Sequence, residues 1–136
     1  MKAQAEKLGI KINLEMDIEK AQLLVTEALK DEGFGVLTEI DVKDTLKKKI
    51  DVDFRPYRIL GACNPPLAHE ALKVMPDVGL LLPCNVVLDQ VDEGLVEVTF
   101  LDPRIMMNIV NDPKINKISE DASARLERAA FALKEN

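Results

Sequence analysis

The chain has no apolar stretch long enough to cross a bilayer, and its opening residues, Met1-Lys2-Ala3-Gln4-Ala5-Glu6-Lys7, lack the apolar run of a secretory leader. It also has no basic stripe. Its 18 Lys and Arg are interspersed with 24 Asp and Glu, for a net charge of −6, so the counterion release that drives phosphate-backbone binding is missing. Neither a membrane nor a nucleic acid is expected as partner, and the cytoplasm is the expected location. Cysteine is scarce. Cys63 and Cys84 are too few for the disulfide framework of a small secreted scaffold and too far apart for a CxxC redox or zinc motif. Both are expected as reduced thiols. No P-loop, GxGxxG, GxSxG or HExxH pattern occurs, which removes the familiar phosphate, dinucleotide, serine-hydrolase and zinc-protease readings. No internal repeat or low-complexity linker divides the chain.

What remains is enough for one domain. At 136 residues and 47% hydrophobic, residues 1–136 are expected to form a single core without a disulfide or structural metal. Residues 8–15 alternate, Ile10, Ile12 and Leu14 against Lys11, Asn13 and Glu15, which predicts a half-buried strand. Asp17 then caps a helix predicted over residues 18–32, with Ile18, Ala21, Leu24, Val25, Ala28 and Leu29 as its stripe and Gly33 as its stop. Phe34 to Ile40 predicts a second strand. Asp41 and Asp44 predict a short capped helix to about Lys49, with Leu46 and Ile50 inward and Lys47, Lys48 and Lys49 solvated.

Tyr57 to Asn64 predicts a strand stopped by Pro65-Pro66, where proline has no N–H to extend a ladder. Asn64 caps the following helix, whose buried side is expected to be Leu67, Ala68, Ala71, Leu72 and Met75. From Gly79, Leu80 to Leu88 reads as a strand, joined through Asp92-Glu93-Gly94 to Leu95–Phe100 in the clearest hairpin. Asp102-Pro103 opens a helical piece carrying Ile105, Met106, Ile109 and Val110. Ser119 is expected to cap a last helix with Ala122, Leu126, Ala129, Ala130 and Leu133 inside.

This order predicts an α+β fold, a mainly antiparallel sheet with helices on one face. The hairpin's first strand looks apolar on both sides, because Leu80, Leu82, Val86 and Leu88 alternate with Leu81 and Val87. A covering for the second face is therefore expected. A homodimer through the sheet is the preferred one, with a crossing helix or a ligand groove as competitors.

Two Cys-Asn pairs, Cys63-Asn64 and Cys84-Asn85, are the most unusual text. Cys63 precedes a helix N-terminus, where free N–H groups and the helix dipole favour an anion and make a better nucleophile of a thiol. If the two strands are neighbours, both thiols and both carboxamides could share a cleft for a small polar ligand. The bland alternative is that both cysteines are inert and buried, Asn64 an ordinary N-cap and Asn85 a partner of local backbone. Arg55 and Tyr57 could add cationic and phenolic donors near the same strand, or equally be edge surface. His69 falls off the apolar stripe of its helix and is expected in solvent, which leaves a Cys-His or zinc site short of ligands. Met75, Met106 and Met107 read as core filler or interface.

The residues Gly61-Ala62-Cys63-Asn64-Pro65, Leu67-Ala68, Ala71-Leu72 and Gly79-Leu80-Leu81-Leu82-Pro83-Cys84-Asn85-Val86-Val87 together resemble the domain of unknown function (DUF) 302 family. Gly33–Asp41 and Asp53–Tyr57 look like that family too. The resemblance implies a curved antiparallel sheet with helices on one side, similar to the TATA-binding-protein-like arrangement, and a tendency to form homodimers. It assigns no activity. The expected function is a small-ligand-binding protein with its cleft at Cys63, Asn64, Cys84 and Asn85, helped by Arg55 and Tyr57, with no cofactor and no metal. The alternatives are a thiol redox or sulfur-handling protein using Cys63 and Cys84, and a homodimeric interaction module.

Overall fold

The computed structural model describes residues 8–134. Its five strands, β1 (Gly9–Leu14), β2 (Gly35–Asp41), β3 (Tyr57–Cys63), β4 (Cys84–Asp92) and β5 (Leu95–Leu101), form one sheet in the order β1-β5-β4-β3-β2. Every neighbouring pair is antiparallel and the sheet is open, with β1 and β2 as its edges. The α+β architecture read from the sequence is therefore the one observed.

Period-2 alternation sends Ile12, Leu14, Leu60, Ala62, Val86, Leu88, Val96, Val98 and Phe100 to one face, where all are buried. Helix α1 (Ile18–Asp31) lies against that face through Ile18, Ala21, Val25, Ala28 and Leu29. Its start is fixed by Asp17, whose carboxylate accepts the Lys20 N–H at 2.8 Å. It ends at Gly33, whose φ of 85° is a left-handed conformation that a side chain would resist. The second covering helix, α5 (Pro113–Lys134), contributes Ala122, Leu126, Ala129, Ala130 and Leu133 to the same core. Each large side chain removed from water there contributes about 1.5–3 kcal/mol.

A smaller cluster of Ala71, Val78, Met107 and Ile115 forms beside the first. It joins helix α3 (Pro65–Val74), a 3-10 segment (Pro76–Leu81), the short helix α4 (Pro103–Met107) and the start of α5.

Several expectations are corrected. Residues 79–82 are not strand: they belong to, or directly follow, the 3-10 segment, and Leu80 is 87% exposed. Pro76 and Pro83 bracket this apolar run, and a short apolar run alone does not distinguish strand from helix. In β4 proper the outward residues are Asn85, Val87 and Asp89, so the strand is not apolar on both sides. The short helix α2 (Val42–Ile50) buries nothing. Ile50 is 63% exposed, and Val42 and Leu46 are only half-buried. The helix starts directly from the end of edge strand β2, beyond the reach of the core. In α3 only Ala71 is fully buried and Leu72 is exposed. Finally, α5 begins six residues before Ser119. Asp112 accepts from the N–H groups of Lys114 and Ile115 at 2.8 and 3.2 Å, and Pro113 occupies the first helical position, where its missing N–H costs nothing. Ser119 is instead a buried mid-helix residue whose hydroxyl donates to the Asn116 carbonyl at 2.9 Å.

Candidate functional site

The antiparallel register pairs Tyr57 with Asp89 and Ala62 with Cys84, so β3 ends where β4 begins. Cys63 is the last residue of β3 and Cys84 the first of β4. Asn64 follows at once as the N-cap of α3, its carbonyl oxygen accepting the Leu67 N–H at 3.2 Å. The sequence thus turns from strand to helix at a single buried asparagine, and this turn holds Cys63 against the neighbouring strand.

At this corner lies a narrow cavity of about 40 Å³. Ala62, Cys63 and Cys84 border it from the sheet, Leu67, Ala68 and Ala71 from α3, and Pro103 and Met107 from α4. Ile115, Ser119 and Ala122 of α5 close the far side. It sits on the seam between the two hydrophobic clusters. Among the described residues, no charged side chain and no histidine lines it. Its oxygen-bearing side chains, Asn64 and Ser119, are both engaged in the hydrogen bonds given above.

Both cysteines are free thiols, Cys84 buried and Cys63 half-buried. Burial pushes the Cys84 pKa up from an ordinary 9.0 to about 11, and the neighbouring Cys63 adds to the rise. Cys84 is therefore a protonated, neutral thiol at physiological pH, poorly suited to nucleophilic attack without a partner that removes its proton.

The structure brings Cys63, Asn64 and Cys84 to one cavity, and separates the other expected residues from it. Asn85 is exposed and pairs with Gly61 on the opposite face, because a pleat that turns Cys84 inward must turn the next residue outward. That outward row is tight: a Cβ on Gly61 would collide with the Thr38 hydroxyl and come within 2.7 Å of the Pro83 ring. Arg55 and Tyr57 belong to the far end of the β3–β4 ladder, roughly 15–20 Å along the strands. There Arg55 donates to both carboxylate oxygens of Asp89, at 2.6 and 3.0 Å, and lies 4.7 Å over the Phe54 ring. Phe54 in turn meets Tyr57 edge-on with centroids 6.0 Å apart. His69 is exposed, as its helical position predicts. Among the described residues, no three His, Cys, Asp or Glu side chains gather.

Met107, Ser119 and Ala122 border the cavity although no local sequence pattern marked them for it. They come from helices far along the chain, and only tertiary packing reveals them. A larger open groove, about 1160 Å³, runs along edge strand β1 past Asp102 and Arg104. It does not include either cysteine, and the charged pairs Lys11–Glu97 and Arg104–Asp102 stand in its wall. Partial burial pushes the Asp102 carboxyl up, but hydrogen bonds from Arg104 outweigh this and hold it below the usual carboxylate range.

No helix among the described residues is long and apolar enough to cross a membrane. A family model described as domain of unknown function DUF302 matches residues 2–133. Among solved structures, the crystal structure of an uncharacterized conserved protein DUF302 from Bacillus stearothermophilus superposes with a TM-score of 0.82 at 30% identity, covering 91% of this chain and 96% of that one. No curated protein matches the chain.

Proposed function

The chain belongs to the DUF302 family, and from the cavity its cysteines border we propose that it binds a small ligand between the ends of β3 and β4. The observation that carries this reading is a pocket at the seam of two core clusters, lined mostly by apolar side chains and bordered by both cysteine residues. Packed interiors rarely leave such space unfilled without a reason. The set of contacts is narrower than the sequence implied: Cys63, Asn64 and Cys84 belong to it, while Asn85, Arg55 and Tyr57 stand apart. Free thiols at such a site fit a reducing compartment, and we place the protein in the cytoplasm. Thiol redox work is the weaker reading, because Cys84 keeps its proton.

The test is a melting-temperature screen with compounds of a few heavy atoms and with soft ions, run on the protein and on Ala68→Leu, which fills the cavity from α3. A ligand at one hundred times its Kd adds about 2.7 kcal/mol to the folded state. A rise in Tm that disappears in Ala68→Leu supports the site; equal rises in both proteins reject it.

A second reading, a homodimer, is favoured by one observation. Leu37, Ile40, Ile50 and Val52 are all exposed large hydrophobics around the β2 edge, and Ile40 continues a cross-strand row through Ile59 and Val87. Sedimentation equilibrium at micromolar concentration would give the mass of two chains, and Ile40→Lys would return it to one. A single-chain mass for the unaltered protein would remove this reading.

A further inference from the structure

The sheet has two open edges, and they are built differently. Edge strand β2 is interrupted by a register shift between Val36 and Thr38 and runs straight into α2. Edge strand β1 pairs with β5 in one unbroken register, from Gly9↔Leu101 to Leu14↔Val96. Antiparallel ladders alternate bonded and unbonded pairs, and two hydrogen bonds set the phase here: Asp102 N–H to the Leu8 carbonyl at 3.2 Å, and Gln90 N–H to the Pro56 carbonyl at 3.0 Å. Counted through the registers from either bond, Ile10, Ile12 and Leu14 are the residues of β1 that bond to β5. The main-chain N–H and C=O groups of Lys11 and Asn13, both exposed residues, therefore point outward from the sheet.

The devices that block such an edge in other proteins are missing from β1. The strand holds no proline and no bulge, and the groove of about 1160 Å³ runs beside residues 9–16 without a gap. Its one lysine is drawn back onto the neighbouring strand, Lys11 Nζ reaching Glu97 Oε1 at 3.1 Å. On the helix side the groove is bordered by the apolar Ile10, Met16 and Leu133. Four carboxylates and three cations line it, in a chain whose net charge is −6. Glu15, just past the end of β1, is exposed and has no ion pair among the described residues.

We propose that the open edge of β1 docks an extended peptide segment of another protein, one that alternates apolar with basic residues and joins the sheet as a sixth strand. Outward main-chain groups repeated every second residue, about 7 Å apart, are matched together by the main chain of another strand. The six residues of β1 offer roughly 20 Å of edge, so the contact is about six residues long. Period-2 alternation sends the segment's apolar side chains to the helix side, toward Ile10, Met16 and Leu133. Its basic side chains go to the other face, where Glu97 stands and Glu15 follows. The carboxylate excess also argues against a second copy of this chain, which brings the same excess to the groove.

The experiment is a fluorescence-anisotropy titration of the full-length protein against two end-capped, fluorescein-labelled octapeptides, one alternating valine with lysine and the other valine with glutamate. The lysine peptide is expected to bind at least roughly tenfold more tightly than the glutamate peptide. N-methylating one of its two alternate sets of amides should abolish binding, and methylating the other set should leave it, because only one set faces β1. Asn13→Pro removes an outward N–H but none of the bonds from Ile12 and Leu14 to β5, at a position where an edge strand tolerates proline. Its Tm should hold while the affinity falls at least roughly tenfold. Glu15→Lys, on the surface, should weaken the lysine peptide and narrow the preference for it. If Asn13→Pro lowers Tm, the methylated peptides and Glu15→Lys decide instead. No binding up to about 1 mM, equal binding of both methylated peptides, or undiminished binding by a stable Asn13→Pro overturns the proposal. A two-chain mass that Asn13→Pro, and not Ile40→Lys, returns to one puts a second copy on the edge and overturns it as well.

Discussion

The two ends of the β3–β4 ladder hold similar amounts of chemistry and dispose of it in opposite ways. At the Tyr57–Asp89 end the groups are charged or aromatic, at least partly exposed, and matched: guanidinium to carboxylate, cation to ring, ring to ring. At the Cys63–Cys84 end they are soft, enclosed and unmatched. A polar cluster that satisfies itself closes off its own chemistry, since any newcomer must first displace a good partner. The sparse end, with less conventional chemistry, has donors to spare.

Energetic experiments can sharpen this contrast or break it. The largest effect is expected from Met107→Ala, which deletes a buried side chain next to an existing void and should cost about 2–5 kcal/mol in urea unfolding. A cost no larger than that of Arg55→Ala would mean that α4 packs loosely and the cavity has no firm wall.

Next comes alkaline pH. The folded Cys84 thiol holds its proton to about 11 against 9.0 for the ordinary group. Its contribution is therefore complete below about pH 9 and lost as the pH rises through about 11, because only the unfolded chain ionises first. The difference in unfolding free energy between the protein and Cys84→Ala should shrink by on the order of 2–3 kcal/mol across that window. A constant difference would place Cys84 in contact with water.

At the opposite end, Arg55→Ala should cost about 1 kcal/mol or less, and less again in high salt, because the guanidinium is half-exposed. The smallest change is expected at Asn85→Ala, within about 0.5 kcal/mol, since this side chain is exposed and lies on the face away from the cavity. A large loss there would return Asn85 to the site.

The sequence disclosed what depends on local pattern. Strands with clean alternation, such as β1 and β5, and helices with a cap and a stripe, such as α1, were legible because one buried face imposes its period on the residues. The run around Leu80 is not legible because continuous apolarity carries no period; after Asp41 the capped helix is legible, but its stripe says nothing about whether a core lies beneath it. Ser119 has the residue type of a cap, yet Asp112-Pro113 carries the stronger start signal, and the helix begins at Pro113. For the site, the two Cys-Asn repeats pointed to the right corner, yet a strand inverts the direction of each successive side chain. Repetition of a dipeptide therefore did not mean repetition of an environment: Asn64 caps a helix while Asn85 faces outward. Met107 reads in the sequence only as core filler or interface, and its place beside the cysteines is a contribution of the third dimension.

The seam between the two clusters has a consequence for how anything enters. The smaller cluster rests on four fully buried side chains against twenty in the larger, so it has far less burial to keep it closed. Its helices are expected to open as a separate unit, with amide hydrogens in α3 and α4 exchanging well before those of β4 and β5. The doorway would then be a piece of the fold itself, swinging on its weaker half, and no dedicated loop would be required to guard it.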